Sequence, residues 1–208
     1  MRWRADVAAR ISAHWQFKTA LSVALTLLFC IPYFTLQRVT LFPARTLDLT
    51  AIDRAVSFDP RWVWVYQSVY LLIAVIPWAV TSRPHLERYA RGFLALSLVA
   101  FACFLLFPVA GPRPDTIPET GMFSWLAWYD KPTNAMPSLH VGLAAFTVFF
   151  GARATAGRLE PAIRMRLLLI GVIWVTAIAY AALATKQHYA VDLPAGVVAA
   201  WLAHWGIR

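Results

Sequence analysis

His188 and Asp192 stand four residues apart, the spacing that brings two side chains to one face of a helix. A carboxylate so placed accepts the proton-bearing ring nitrogen of the histidine. The tautomer is then fixed and the other nitrogen keeps its lone pair, making the ring a nucleophile toward phosphorus or a base. Pro137-Ser138-Leu139-His140 is a second such segment. Proline holds the entry extended and Ser138 is a good helix N-cap. The backbone N–H groups from Ser138 and Leu139 onward then face outward, where a helix start binds phosphate oxygens. His140, in that first turn, can hand a proton to a leaving oxygen. Arg113, between Pro112 and Pro114, and Lys186 are the cations nearest these histidines in sequence. One offers a bidentate fork and the other a point charge to phosphoryl oxygens. Catalytic His188, His140 and Asp192, with phosphate binding by Arg113, Ser138, Leu139 and Lys186, is chemistry for moving a phosphoryl group. Two histidines and one aspartate make only part of a metal site, and no acidic cluster completes it. No metal and no organic cofactor is expected.

Residues so far apart in sequence need a scaffold, and the composition says which kind. Of the 208 residues, 60% are hydrophobic and 14% charged, with mean hydropathy +0.59. A soluble domain carries about 25% charged residues, so the bilayer is the expected solvent. Six apolar runs qualify or nearly qualify as spans, at about 17–36, 62–81, 91–110, 138–152, 167–185 and 189–207. They are too few and too long for barrel strands. The expectation is an all-α polytopic membrane protein, a six-helix bundle forming one domain over 1–208. The first run follows a basic segment, Met1 to His14, and is too long for a signal-peptide core, so it is read as a retained span. Cys30 and Cys103 sit inside apolar runs, where inert thiols and no disulfide are expected.

Charge sorting orients the spans. With the N-terminus inside, the inner positions hold Arg2, Arg4, Arg10, Lys18, Arg83, Arg88, Arg91, Arg153, Arg158, Arg164, Arg166 and Arg208, against Asp6, Glu87 and Glu160. The outer positions hold seven cations and seven acids. The whole net charge of +9 therefore lies on one side, as positive-inside sorting requires. This excludes nucleic acid as a partner, because no basic groove is left over. Both termini are expected in the cytoplasm, in a bacterial inner or cell membrane, with the three chemical segments at the extracytoplasmic face. Ionisable groups gathered at one membrane depth are a functional site by default. Two longer outer loops, 37–61 and 111–137, flank that site. The first reads as a short amphipathic helix on the membrane surface. Trp125, Trp128 and Tyr129 in the second suit the headgroup region.

On these residues the chain resembles the type 2 phosphatidic acid phosphatase (PAP2) superfamily. Arg113-Pro114 matches the family's Arg-Pro, Pro137-Ser138-Leu139-His140 its Pro-Ser-Gly-His with Leu for Gly, and His188 with Asp192 its closing His and Asp. The family's first lysine would fall at Leu106, and its Ser-Arg pair at Ala181 and Ala182. Pro-Ser-Leu-His followed by Thr185-Lys186-Gln187-His188-Tyr189-Ala190-Val191-Asp192 is similar instead to the inositol phosphorylceramide synthase-like branch, as is the stretch from Ile52-Asp53-Arg54 to Tyr66. In that branch Lys186 would replace the lost arginine.

The resemblance implies a phosphohistidine on His188 supported by Asp192, with His140 protonating the departing alcohol. Water as acceptor makes a lipid phosphatase, and a second alcohol makes a phosphotransferase. The expected partners are a phospholipid or lipid phosphate and the bilayer. A non-catalytic phospholipid-binding protein of the same fold is the alternative. A transporter has little support, because no pair of spans is broken at mid-membrane.

Overall fold

The computed structural model describes residues 8–39 and 41–207. Arg2, Arg4, Asp6 and Arg208 of the charge count lie outside the described residues. The described residues form helices and no named strand. The main helices are α1 (Trp15–Leu36), α2 (Ala51–Ala55), α3 (Val63–Gln67), α4 (Val69–Ala79), α5 (Arg83–Leu106), α6 (Met122–Tyr129), α7 (Leu139–Ala154), α8 (Pro161–Ala184) and α9 (Asp192–Gly206).

Four stretches are long and apolar enough to cross a membrane: Trp15–Leu36, Pro60–Ala79, Arg83–Leu106 and Pro161–Ala184. The expected spans at 138–152 and 189–207 are helical, but α7 has 16 residues and α9 has 15. At 1.5 Å per residue each rises about 22–24 Å, short of a hydrocarbon core of about 30 Å. Six full-length spans are therefore not what the helices show. The expected run 91–110 is also shifted. Its helix begins eight residues earlier, with Pro84 in its first turn, and Pro108 follows its end.

α7 is the central helix, packed against α9, α8, α4 and α5. Every residue from Leu139 to Thr147 is buried. Such a helix must be apolar all round or carry polar groups that find partners. Its contact with α9 is a close backbone approach of the kind small residues allow. A Cβ on Gly196 would stand 2.3 Å from the Ser138 carbonyl oxygen, and one on Gly142 would stand 3.1 Å from the Gly196 carbonyl oxygen. The Ser138 N–H completes the join by donating to the Asp192 carbonyl at 3.0 Å. In contrast, α1 and α8 expose Val23, Leu27, Ile31, Ile170 and Ile173 on their outer faces, the surface a lipid-facing helix presents.

The expected surface helix in loop 37–61 is the five-residue α2, and it is fastened rather than floating. Thr50 and Asp53 form a capping box, and the second carboxylate oxygen of Asp53 accepts the Ala190 N–H at 2.7 Å. Leu47 N–H donates to the Tyr189 hydroxyl at 3.3 Å, and Asp59 N–H to the Ala184 carbonyl at 2.9 Å. The first outer loop therefore clasps the segment that carries His188. The second outer loop places α6 with Trp125 and Trp128 exposed, and its end is strapped to the end of α1. There the Tyr33 hydroxyl donates to Asp130 at 2.9 Å, the Gln37 amide donates to the same oxygen, and Asn134 donates to the Tyr33 carbonyl at 3.2 Å.

Candidate active site

His140 and His188 come from opposite edges of the α7–α9 join, and their ring centroids lie 6.3 Å apart. Both are buried, as are Ser138 and Asp192. His140 is the second residue after the Ser138 cap, and the Ser138 Oγ accepts the Val141 N–H at 3.4 Å. His188 sits in the turn between α8 and α9, and its loop folds back so that Gln187 and His188 N–H both donate to the Ala182 carbonyl.

Two acceptors fix the state of His188. Its Nδ1 lies 2.8 Å from the Ala135 carbonyl oxygen and 3.5 Å from Asp192 Oδ2. A carbonyl can only accept, so Nδ1 carries the proton and the Nε2 lone pair is free. The nearer tautomer-fixing partner is thus a backbone group rather than the expected aspartate. Asp192 Oδ2 accepts the Tyr189 N–H at 2.8 Å, which holds the turn beside the His188 ring.

Tyr66, on α3, is the residue that motif spacing missed. Its ring stacks on His140 with centroids 3.8 Å apart and planes 20° apart. Its hydroxyl lies 2.8 Å from His140 Nδ1 and 3.4 Å from His188 Nε2. A phenol has one proton and the shorter contact takes it. His140 then carries its own proton on Nε2, which is buried and without a partner among the described residues. The two rings are thus in complementary tautomers, His188 with its proton on Nδ1 and His140 with its proton on Nε2. Tyr66 stands far from the motifs in sequence, and only its place within a similar stretch of a related branch hinted at it.

Arg113 reaches the same place. It lines a small polar cavity with Tyr66, His188, Asn134, Gln187 and Asp130. Its guanidinium donates to Gln187 Oε1 and, at 2.8 Å, to the Asp130 carbonyl. Gly111 makes this approach possible, since a Cβ there would stand 2.5 Å from the Gln187 carbonyl oxygen. Asp130 was also missed. Burial pushes its carboxyl above the usual range, while Arg113, Tyr33, Gln37 and His188 pull the other way.

Two expectations change. Lys186 is not brought to the histidines. Its backbone is left-handed, and its ammonium donates to the Asp53 carbonyl at 2.9 Å and to the Val56 carbonyl. It closes the end of α2 instead of meeting a phosphate, because the clasp between loops lies nearer than the cavity. The Ser138 N–H is likewise taken by Asp192, so it is not open to a phosphate. Of the first-turn donors, those of Leu139 and His140 remain. Among the described residues, no group of three or more His, Cys, Asp or Glu gathers as metal ligands, and Cys30 and Cys103 are free thiols.

A family model described as the PAP2 superfamily matches residues 37–206. The match takes in every residue of the cluster and leaves α1 outside. Comparisons with curated proteins and with solved structures give no match.

Proposed function

The chain belongs to the PAP2 superfamily, and from that premise we propose that it is an integral membrane enzyme that takes a phosphoryl group from a phospholipid or lipid phosphate onto His188. His188 Nε2 attacks phosphorus. The bond from phosphorus to the lipid alcohol oxygen breaks as His140, protonated on both ring nitrogens beside the bound phosphate anion, gives its Nε2 proton to that oxygen and is left neutral, its other proton on Nδ1 against the Tyr66 oxygen. His140 Nε2 then takes a proton from the acceptor as the acceptor oxygen attacks phosphorus and the P–N bond breaks. Both histidines return to the protonation states in which the cycle began. Tyr66 positions His140, and the Ala135 carbonyl and Asp192 carry the positive charge that the His188 ring gains. Arg113 and the N–H groups of Leu139 and His140 are the donors for the phosphoryl oxygens, which bear charge throughout transfer.

The observation that carries this reading is the unprotonated Nε2 of His188 lying 3.4 Å from the same Tyr66 hydroxyl that holds His140 Nδ1 at 2.8 Å, which couples the two rings through one side chain. The membrane arrangement that fits it has six crossings, with α7 and α9 as short spans. Their outer ends, and the histidines with them, then lie below the outer surface near the headgroups. Positive-inside sorting favours both termini inside and the histidines on the extracytoplasmic side.

Leu106 and Ala182 stand where the family's lysine and arginine would be, and Ala182 is fully buried. Arg113 is left as the cation that reaches into the cavity, since Lys131 also lines it but turns its ammonium to the Trp128 carbonyl at 2.9 Å. That departure favours transfer to an alcohol, as in the inositol phosphorylceramide synthase-like branch, over simple hydrolysis.

The test is to incubate purified protein with lipids labelled in the phosphate and quench in alkali, which preserves phosphohistidine. Wild type retains label and His188→Ala does not. Mass spectrometry of the lipid products then reads free phosphate as hydrolysis and a new headgroup ester as transfer. Equal labelling of both proteins would remove His188 as nucleophile. No labelling of either, with phospholipid still bound, would leave the non-catalytic reading.

A further inference from the structure

α1 is pinned at both ends and stands off α4 between them. At the inner end the Lys18 ammonium donates to the Arg10 carbonyl at 2.6 Å and the Trp78 carbonyl at 3.0 Å, and Arg10 donates to the Ala79 carbonyl at 3.3 Å. At the outer end Tyr33 and Gln37 are tied to Asp130. Along its length α1 packs on α5. The gap left toward α4 is a cleft of about 280 Å³, walled by Leu25, Phe29, Ile73, Ala74, Phe93 and Leu143. Lys18 closes its floor. Its other end reaches Tyr70, whose ring meets the His140 ring edge-on at 5.9 Å. An apolar gap held open by polar fastenings at both ends does not collapse, and its outer end is bounded by Tyr70, a direct neighbour of His140.

We infer that this cleft binds one acyl chain of the lipid whose phosphate is presented to His140 and His188, with Lys18 as the stop for its methyl end. The inference rests on the reading of a lipid substrate. The twelve-residue separation of Lys18 and Cys30 along α1 gives a depth of about 18 Å. One leaflet of hydrocarbon is about 15 Å thick, so the cleft takes a single leaflet-length chain. Its direction is also right, since a chain entering beside Tyr70 leaves its headgroup at the histidines. The stretch of α1 that forms one wall lies outside the matched family segment.

Two measurements test it. In the first, intact protein in lipid nanodiscs is photolysed with a lipid phosphate whose sixteen-carbon chain ends in a diazirine. Adducts on peptides of α1 and α4 near Lys18 and Pro77 are expected. Adducts confined to the opposite groove at Ile170, Ile173 and Trp174 overturn the proposal. This labelling needs no turnover, so labelling in the cleft without phosphoenzyme would sink the enzyme reading and leave the cleft standing. In the second, Ala74→Trp fills the cleft from α4 and Thr26→Trp fills it from α1. Each is expected to lower kcat/KM about tenfold or more for sixteen-carbon substrate while leaving a six-carbon analogue unchanged, because the methylenes removed from the cleft are those that supplied binding. Equal loss for both chain lengths, or no loss in either variant, overturns it. A fold defect confined to one variant is separated out by the other.

Discussion

Two helix pairs reach the histidines, and they are built in opposite ways. α7 and α9 touch backbone to backbone through Gly142 and Gly196, and the contact is sealed by the Ser138–Asp192 hydrogen bond. α1 and α4 are held apart, joined through Lys18 at one end, while the far end of α1 is tied to Asp130. The first pair has no room for a methyl group, and the second has room for a lipid chain. Chemistry between two rings 6.3 Å apart tolerates little play, since a displacement of about 1 Å costs about a hundredfold in rate. Substrate entry from the bilayer needs the reverse, a gap that persists.

The strongest way to break this contrast is to give the close pair a side chain. Gly196→Ala places a Cβ 2.3 Å from the Ser138 carbonyl oxygen. Overpacking of this kind costs about 1–3 kcal/mol or more, and it moves Asp192 and His188 away from His140. Activity is expected to fall at least about a hundredfold, together with the melting temperature. Gly206→Ala, on the same helix with no neighbour within 4 Å of its Cβ position, serves as the control and should leave both unchanged.

A smaller effect follows from keeping the join and removing the bridge within it. Tyr66→Phe preserves the stack on His140 but removes the hydroxyl. His140 then has no partner choosing its tautomer. Turnover is expected to drop about tenfold to a hundredfold, part of the 10²–10⁴ that general acid catalysis contributes. KM should be little changed, and the pH dependence of kcat should be altered. A rise in KM with kcat and its pH profile intact would make Tyr66 a substrate contact instead.

The smallest effect concerns the clasp around the His188 turn. Burial raises the Asp53 carboxyl pKa, but hydrogen bonds from Thr50 and Ala190 and the Lys186 charge outweigh it and hold it below the usual range. A carboxylate depressed in the folded state stabilises above its unfolded pKa, near 3.9, and that contribution is lost as pH falls through the folded value. Melting temperature measured against pH should therefore fall on acidification below about 4 in the wild type. Asp53→Asn should be less stable than wild type at neutral pH and converge on it in acid. Parallel curves would show that the clasp does not depend on this charge.

The motifs were legible because each is local. Ser138 caps the helix it precedes, and His188 and Asp192 lie on one short segment, so residue type and spacing sufficed. Tyr66 and Asp130 were not legible as site residues, because nothing in their neighbours marks them. Lys186 misled for the same reason. Its spacing from His188 suggested a phosphate ligand, but a flexible side chain goes to the nearest unsatisfied carbonyls, and those belong to a loop some 130 positions away. The shortness of α7 was legible in its apolar run at 138–152, whereas α9 is shorter than its run at 189–207 because Tyr189, Ala190 and Val191 belong to the turn that carries His188.

What the sequence determined by itself was the apolar composition of a membrane protein, the helical class and the two short segments that carry His140 and His188. These depend on composition and on local hydrogen bonding. The tertiary structure decided which atom of each histidine is free, which cation stays at the cavity, and which helices touch or stand apart. Those depend on contacts between segments distant in the chain: Tyr66 with His140, Ala135 with His188, Gly196 with Ser138 and Lys18 with Trp78. Hydrogen bonds and close packing act over a few ångströms, and only the folded chain brings those pairs within that range.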